Sequence, residues 1–177
     1  MERTLMTTIE RRLAGHLKDA HALQEHAEAV LSEMLTAAAD EPELRRPLGH
    51  YAERSRAYTR AVEARLRAHG SSPSIARDAG SLLASVVEAG VGRGHRDPVK
   101  HMRDAYVAVH LQIAAGETLR RIAERAGDRE TAAIAAAMCE DAHAMSHELS
   151  DRWDLAVDMS LRAHGAGHSR PAAGGAL

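Results

Sequence analysis

PVKHMRDAYVAVHLQIAAGETLRRIAERAGDRE, residues 98–130, is the stretch whose reading decides the fold. It opens behind Asp97, an aspartate placed to cap a helix, with Pro98 in the first turn, where a missing N–H costs nothing. It closes on Gly127–Asp128, a helix stop followed at once by the cap of the next helix. Between these marks the apolar residues recur at spacings of three and four on two stripes. One stripe holds Ala105, Ala108, Ala115, Leu119 and Ile122, the other Met102, Tyr106, Val109 and Ile113. A helix apolar on two sides is sandwiched, here between a bundle and either a short insert or a second subunit. The first stripe has one polar interruption, Gln112.

The same periodicity extends outward in both directions. Leu5, Ile9, Leu13, Leu17, Ala20, Ala27, Leu31 and Met34 form the stripe of a first helix, with Gln24 standing where a core residue belongs. Asp40, Glu41 and Pro42 end that helix and start a second, whose stripe is Leu44, Leu48, Tyr51, Ser55, Tyr58, Val62 and Leu66, with a stop at Gly70. Leu82, Leu83, Val86 and Val87 read as a short helical insert closed by Gly90, Gly92 and Gly94. Downstream, Ile134, Met138, Ala142, Met145, Leu149 and Trp153 continue as one last helix. The expectation is an all-α, up-and-down bundle of four long helices over residues 1–163, followed by a disordered tail, 164–177, rich in Gly, Ala and Pro.

Composition agrees. The chain has 177 residues, enough for one core without disulfides or metal staples. Hydrophobic residues make up 45% and aromatics only 2%, so helix formers dominate and no β-branched alternation marks a strand. A net charge of −2 with interspersed signs gives no reason to expect nucleic acid or an anionic membrane as partner. No apolar run is long enough to span a bilayer, and the first nine residues lack a secretory apolar region, so a cytoplasmic location is expected. The single cysteine, Cys139, excludes an internal disulfide and a CxxC metal site.

Twelve histidines in a helical bundle raise the question of metal. Di-metal bundles use inward carboxylates and Glu-x-x-His pairs from facing helices. Glu140-x-x-His143 has that spacing, and His147 follows one turn later, but all three project opposite Met138, Ala142 and Met145. His21, Glu25, His26, His50 and Glu53 have some of the residue types of an oxo-iron bundle of the hemerythrin type, without about five histidines aimed inward. Gln24 and Gln112 carry more weight. A core amide must find partners or cost about 1–3 kcal/mol, and the partners at hand are each other and the Tyr51 or Tyr58 hydroxyl. Arg54, at the edge of the second stripe, would repel a cation, and Asp141 is placed to pair with it. A small-molecule pocket lined by Tyr51, Tyr58, Met138 and Met145 is a further possibility. No nucleophile stands in an elbow or beside a base, and Gly90–Gly94 lacks the lysine and strand of a phosphate loop.

Over residues 5–153 the chain resembles the YciF-type ferritin-like stress proteins of bacteria. The matching marks are Leu17-Lys18-Asp19, Tyr51 to Glu53, the insert from Ser81 to Glu88, His110, and Thr118-Leu119 followed by Ala123-Glu124 and Gly127. The resemblance implies a dimeric, ferritin-like bundle related to di-metal carboxylate proteins. Carried over by position, the family's first-helix glutamate falls on Gln24, and its acidic and histidine positions on helix two fall near Arg54 and Tyr58. Its third-helix glutamates fall on Val109 and Gln112, and a fourth-helix glutamate on Ala142. A one-residue slip would bring in Glu53, Glu140 or Asp141, but would not replace the glutamines.

The function expected is therefore that of a non-catalytic structural, stress-related or binding protein on a ferritin-like scaffold, a homodimer without cofactor. The enzymatic alternative is an iron or manganese oxidoreductase with a reduced site built from Glu53, Glu140 and His143.

Overall fold

The computed structural model describes residues 8–72 and 97–165. Among them are five helices: α1 (Thr8–Ala37), α2 (Pro42–Ala68), α3 (Pro98–Ala126), α4 (Arg129–Ser150) and α5 (Trp153–Ala163), and no strand. The insert expected at Leu82–Val87, the stripe position Leu5 and the tail from residue 166 lie outside the described residues.

The boundaries follow from capping chemistry. Asp97 accepts from the Val99 N–H at 3.2 Å and Pro98 occupies the first turn of α3. Gly127, at φ 73°, ends α3 with paired bonds, Gly127 N–H to Glu124 O (3.2 Å) and Asp128 N–H to Ala123 O (2.9 Å). A side chain is strained at that φ, which is why glycine stands there. Gly70 closes α2 in the same way, with Ser71 N–H on Leu66 O at 2.9 Å. Asp128 then caps α4, accepting from the Thr131 N–H at 3.0 Å.

The four long helices pack as a ring in which α1 contacts α2 and α3, and α4 contacts α2 and α3. Neighbours run antiparallel: along the α2–α4 seam, Arg54 meets Asp141 while Arg65 meets Glu130. The buried stripes make two hydrophobic clusters stacked along the bundle axis. One contains Leu31, Met34, Leu44, Leu48, Met102, Val109 and Leu149. The other contains Leu13, Leu17, Val62, Leu66, Leu119 and Met138. Along α1, α2 and α3 the clusters are separated at Gln24, Ser55 and Gln112. The polar residues form a layer, not scattered defects.

The last expected helix differs. It does not run through Trp153: α4 ends at Ser150, and the chain turns at Asp151–Arg152. The Arg152 guanidinium accounts for the break. Its Nη1 donates back to the Glu148 carbonyl (2.8 Å), while Nε donates to the Glu43 carbonyl of α2 (3.1 Å). That carbonyl would normally accept from the residue four positions on, which is Pro47 and has no N–H. Arg152 thus satisfies an acceptor that proline orphans. Beyond the turn α5 packs on α3, burying Ala156 and Met159 in the cluster that holds Met102. Trp153 lies 5.8 Å from Tyr106, ring centre to ring centre. So α5 covers part of the second apolar face of α3, a role the sequence suggested for an insert or a second subunit.

Helices α3 and α4 approach closely at Gly116, where an added Cβ would stand 2.7 Å from Cys139 Sγ and 3.4 Å from the Ala135 carbonyl. Alanine in a helix is favoured over glycine by about 1 kcal/mol, but overpacking a core costs about 1–3 kcal/mol. Gly116→Ala should therefore lower stability in urea unfolding, and by less in a Cys139→Ala background, where Sγ is gone. Equal losses in the two backgrounds would contradict this close approach.

Candidate functional site

The polar layer at mid-bundle is the site the sequence singles out. Gln24 of α1 and Gln112 of α3 are each 2% exposed and Ser55 of α2 is 1% exposed. Gln24 Oε1 accepts from the Ser55 hydroxyl (2.8 Å) and from Gln112 Nε2. Gln112 Nε2 also reaches Ser55 Oγ at 3.3 Å, and Gln112 Oε1 accepts from the Tyr51 hydroxyl at 2.8 Å. Burial, with the nearby Asp141 carboxylate adding to it, pushes the Tyr51 phenol far above its ordinary range, so it remains a neutral donor. Each of these groups stands one helical repeat from the apolar stripe residues on either side, so the stripe itself aims them inward.

A second group lies at the edge of the bundle. Arg54 Nε sits 2.5 Å from Asp141, and Arg54 Nη2 donates to the Tyr58 hydroxyl at 3.2 Å. Tyr58 in turn donates to Asp141. Burial and the bond to Asp141 raise the Tyr58 phenol, and both outweigh the opposing pull of Arg54. Although the resemblance groups Arg54 and Tyr58 with the glutamines as remnants of one core site, neither lies in the core: the Arg54 side chain is 49% exposed, at the stripe edge, and Tyr58 is half-buried. A guanidinium in the interior would lose its hydration, and its long stem lets it reach the rim instead. Of the two tyrosines offered as partners for the amides, Tyr51 takes that role. Ser55 stands on the stripe, but its spacing does not mark it as a partner, because a serine in a helix is small enough to read as filler.

The residues offered as metal ligands do not converge. Glu53, Glu140 and His143 are all exposed. His21 is buried between two carboxylates, 3.5 Å from Glu25 and 3.1 Å from Glu63, bridging α1 to α2. The hydrogen bond from His21 holds Glu63 below its usual range despite some burial. His26 presents a buried Nε2 without a hydrogen-bond partner among the described residues, and burial lowers its affinity for a proton against the pull of Asp104 and Glu33. His50 is exposed. Among the described residues, no group of three or more His, Cys, Asp or Glu could hold a metal ion.

Of the four residues offered for a small-molecule pocket, Tyr51 and Met145 line one cleft together, with Arg54 and Asp141. Met138 and Met145 belong to different hydrophobic clusters.

A family profile described as a domain of unknown function, DUF892, matches residues 8–161. The chain belongs to the DUF892 family. Solved structures similar to this DUF892 chain include a protein from Xanthomonas campestris, 24% identical, covering 89% of this chain and 99% of that one with a TM-score of 0.72. The Escherichia coli stress protein YciF is 21% identical, covering 87% and 98%, at 0.66. YcfI from Rhodopseudomonas palustris is 17% identical, covering 85% and 98%, at 0.64. At these identities the likeness shows a shared helical fold, in keeping with the YciF-type resemblance read from the sequence. No curated protein sequence matches the chain. Among the described residues of this DUF892 protein, no helix is long and apolar enough to cross a membrane.

A di-metal centre does not fit the residues at mid-bundle. Gln24 Oε1 already accepts two hydrogen bonds and Gln112 Oε1 accepts one from a buried phenol. Both amides are neutral and offset none of a cation's charge; of the other positions mapped from the resemblance, Val109 and Ala142 are buried and apolar, and Arg54 carries a positive charge already paired with Asp141.

Proposed function

We propose that this chain is a non-catalytic ferritin-like protein, in which an uncharged amide layer replaces a di-metal centre, and that it serves a structural, stress-related or binding role. The observation that carries this is the closed set of hydrogen bonds among Gln24, Ser55, Gln112 and Tyr51. Taking a divalent ion out of water demands compensating negative charge, and these four side chains supply none. The fold likeness to the stress protein YciF supports the stress-related part of the reading.

Metal analysis of untagged protein, loaded with ferrous iron or manganese and then exhaustively dialysed, tests it. Far less than one ion per chain is expected. Retention of about two tightly held ions per chain, the stoichiometry of a di-metal bundle, would overturn the proposal.

A further inference from the structure

Where the start of α2 faces the end of α4, two clefts of about 500 Å³ and 280 Å³ adjoin, sharing Pro47, His50 and Glu148. Together they make a groove of the size that holds small molecules, roughly 300–1,000 Å³. Pro47, Tyr51 and Met145 give it an apolar floor. Most of its charged rim is already paired: Arg54 with Asp141 at 2.5 Å, and Arg152 with Glu148 at 2.6 Å. Arg152 is further fixed by the Glu43 carbonyl that Pro47 orphans, so this wall is held in place before any ligand arrives.

Three side chains on the rim are uncommitted. Glu43, Arg46 and His50 fall at i, i+3 and i+7 on one face of α2, all exposed, and none makes a side-chain ion pair or hydrogen bond among the described residues. One carboxylate beside one guanidinium and one imidazole, next to an apolar floor, complements a molecule with both charges and an apolar body. We propose that the groove binds a small zwitterion of the apolar amino-acid class. Arg46 and His50 take the carboxylate, Glu43 takes the ammonium, and the side chain lies over Pro47, Tyr51 and Met145. This inference is independent of the metal question, since the charged groups of the groove, Glu43, Arg46 and His50, take no part in the amide layer, which shares only Tyr51 with it.

Titration of the full chain with L-phenylalanine, followed by amide chemical shifts, tests it. Saturable shifts confined to residues 42–54 and 141–152 are expected, with a dissociation constant of order 1 mM or below. 3-Phenylpropionate and phenethylamine, which each lack one charge, should bind about tenfold more weakly, the loss of one charge-assisted hydrogen bond. Arg46→Ala and Glu43→Gln should each weaken L-phenylalanine by about tenfold. Both residues are exposed, so unchanged urea midpoints will show that the variants remain folded. The proposal is overturned by the absence of saturable shifts, by equal binding of 3-phenylpropionate or phenethylamine, or by unaltered affinity in both folded variants.

Discussion

Gln112→Leu is expected to lower the unfolding free energy by about 2–4 kcal/mol, among the largest effects available from one side chain in this bundle. Leucine is close in volume, so little of the loss comes from a cavity. It comes from partners left behind. The Tyr51 hydroxyl loses its acceptor, Gln24 Oε1 loses one of its two donors, and both are deeply buried. Each stranded polar group costs about 1–3 kcal/mol. If stranding is the cause, removing the other partners should recover much of the loss, so Gln112→Leu combined with Gln24→Leu, Ser55→Ala and Tyr51→Phe should be more stable than Gln112→Leu alone. Urea unfolding of the two variants decides it. A single variant as stable as the parent would mean that the layer is not bonded as described.

The isosteric change Gln112→Glu separates charge from shape. A carboxyl buried at this position ionises reluctantly, so its folded pKa lies above the unfolded value of about 4.3. The folded state then holds the proton more tightly than the unfolded state. Stability should be near that of the parent below pH 4, fall as pH rises through the folded pKa, and stay low above it. A flat profile from pH 4 to 8 would indicate that the site is hydrated or already charged.

The sequence showed which positions face inward and fell short on what they touch. Spacing alone placed Gln24 and Gln112 on stripes otherwise filled by Leu, Ala, Ile and Met, and placed Glu140 and His143 on the outer face. Helical periodicity is set by backbone geometry, so it survives any choice of partner. It carries no information on distance across the bundle. Whether Tyr51 or Tyr58 reaches the amides depends on the register of α2 against α3, and the stripe is identical under either register. The α4–α5 break was illegible for a related reason. Its cause, a carbonyl orphaned by Pro47, lies more than a hundred residues before Arg152, and no local breaker marks Asp151. The polar interruption of a stripe was legible because it is local; the three-partner bonding of Arg152 was not, because it is tertiary.

Asp128→Ala should cost about 3 kcal/mol and shift acid unfolding to higher pH. The Asp128 side chain is 8% exposed at the short turn joining α3 to α4, and three residues bond to it. It caps α4 through the Thr131 N–H at 3.0 Å and accepts the Thr131 hydroxyl at 2.6 Å. Arg65 Nη2 of α2 reaches it at 2.9 Å and Nε2 of His69, the residue just past α2, at 2.7 Å. A lost cap accounts for about 1 kcal/mol, and the remainder comes from leaving the mostly buried Arg65 with only Thr131 and the exposed Glu130. Burial alone would raise this carboxyl, but the bonds from Thr131, Arg65 and His69 outweigh it and hold it well below the ordinary 3.8. With the folded pKa depressed, the folded state binds fewer protons than the unfolded one. The contribution is complete above the unfolded value and is lost as pH falls through and below it. Asp128→Asn keeps an acceptor for the cap while removing the charge, so it should lose less than Asp128→Ala at pH 7 and show a shallower decline below pH 5. The decisive measurement is urea stability of all three proteins at pH 7, 5 and 3. If Asp128→Ala loses under about 1 kcal/mol at pH 7, or if Asp128→Asn declines in acid as steeply as the parent, then α2 is not tied to this turn by charge.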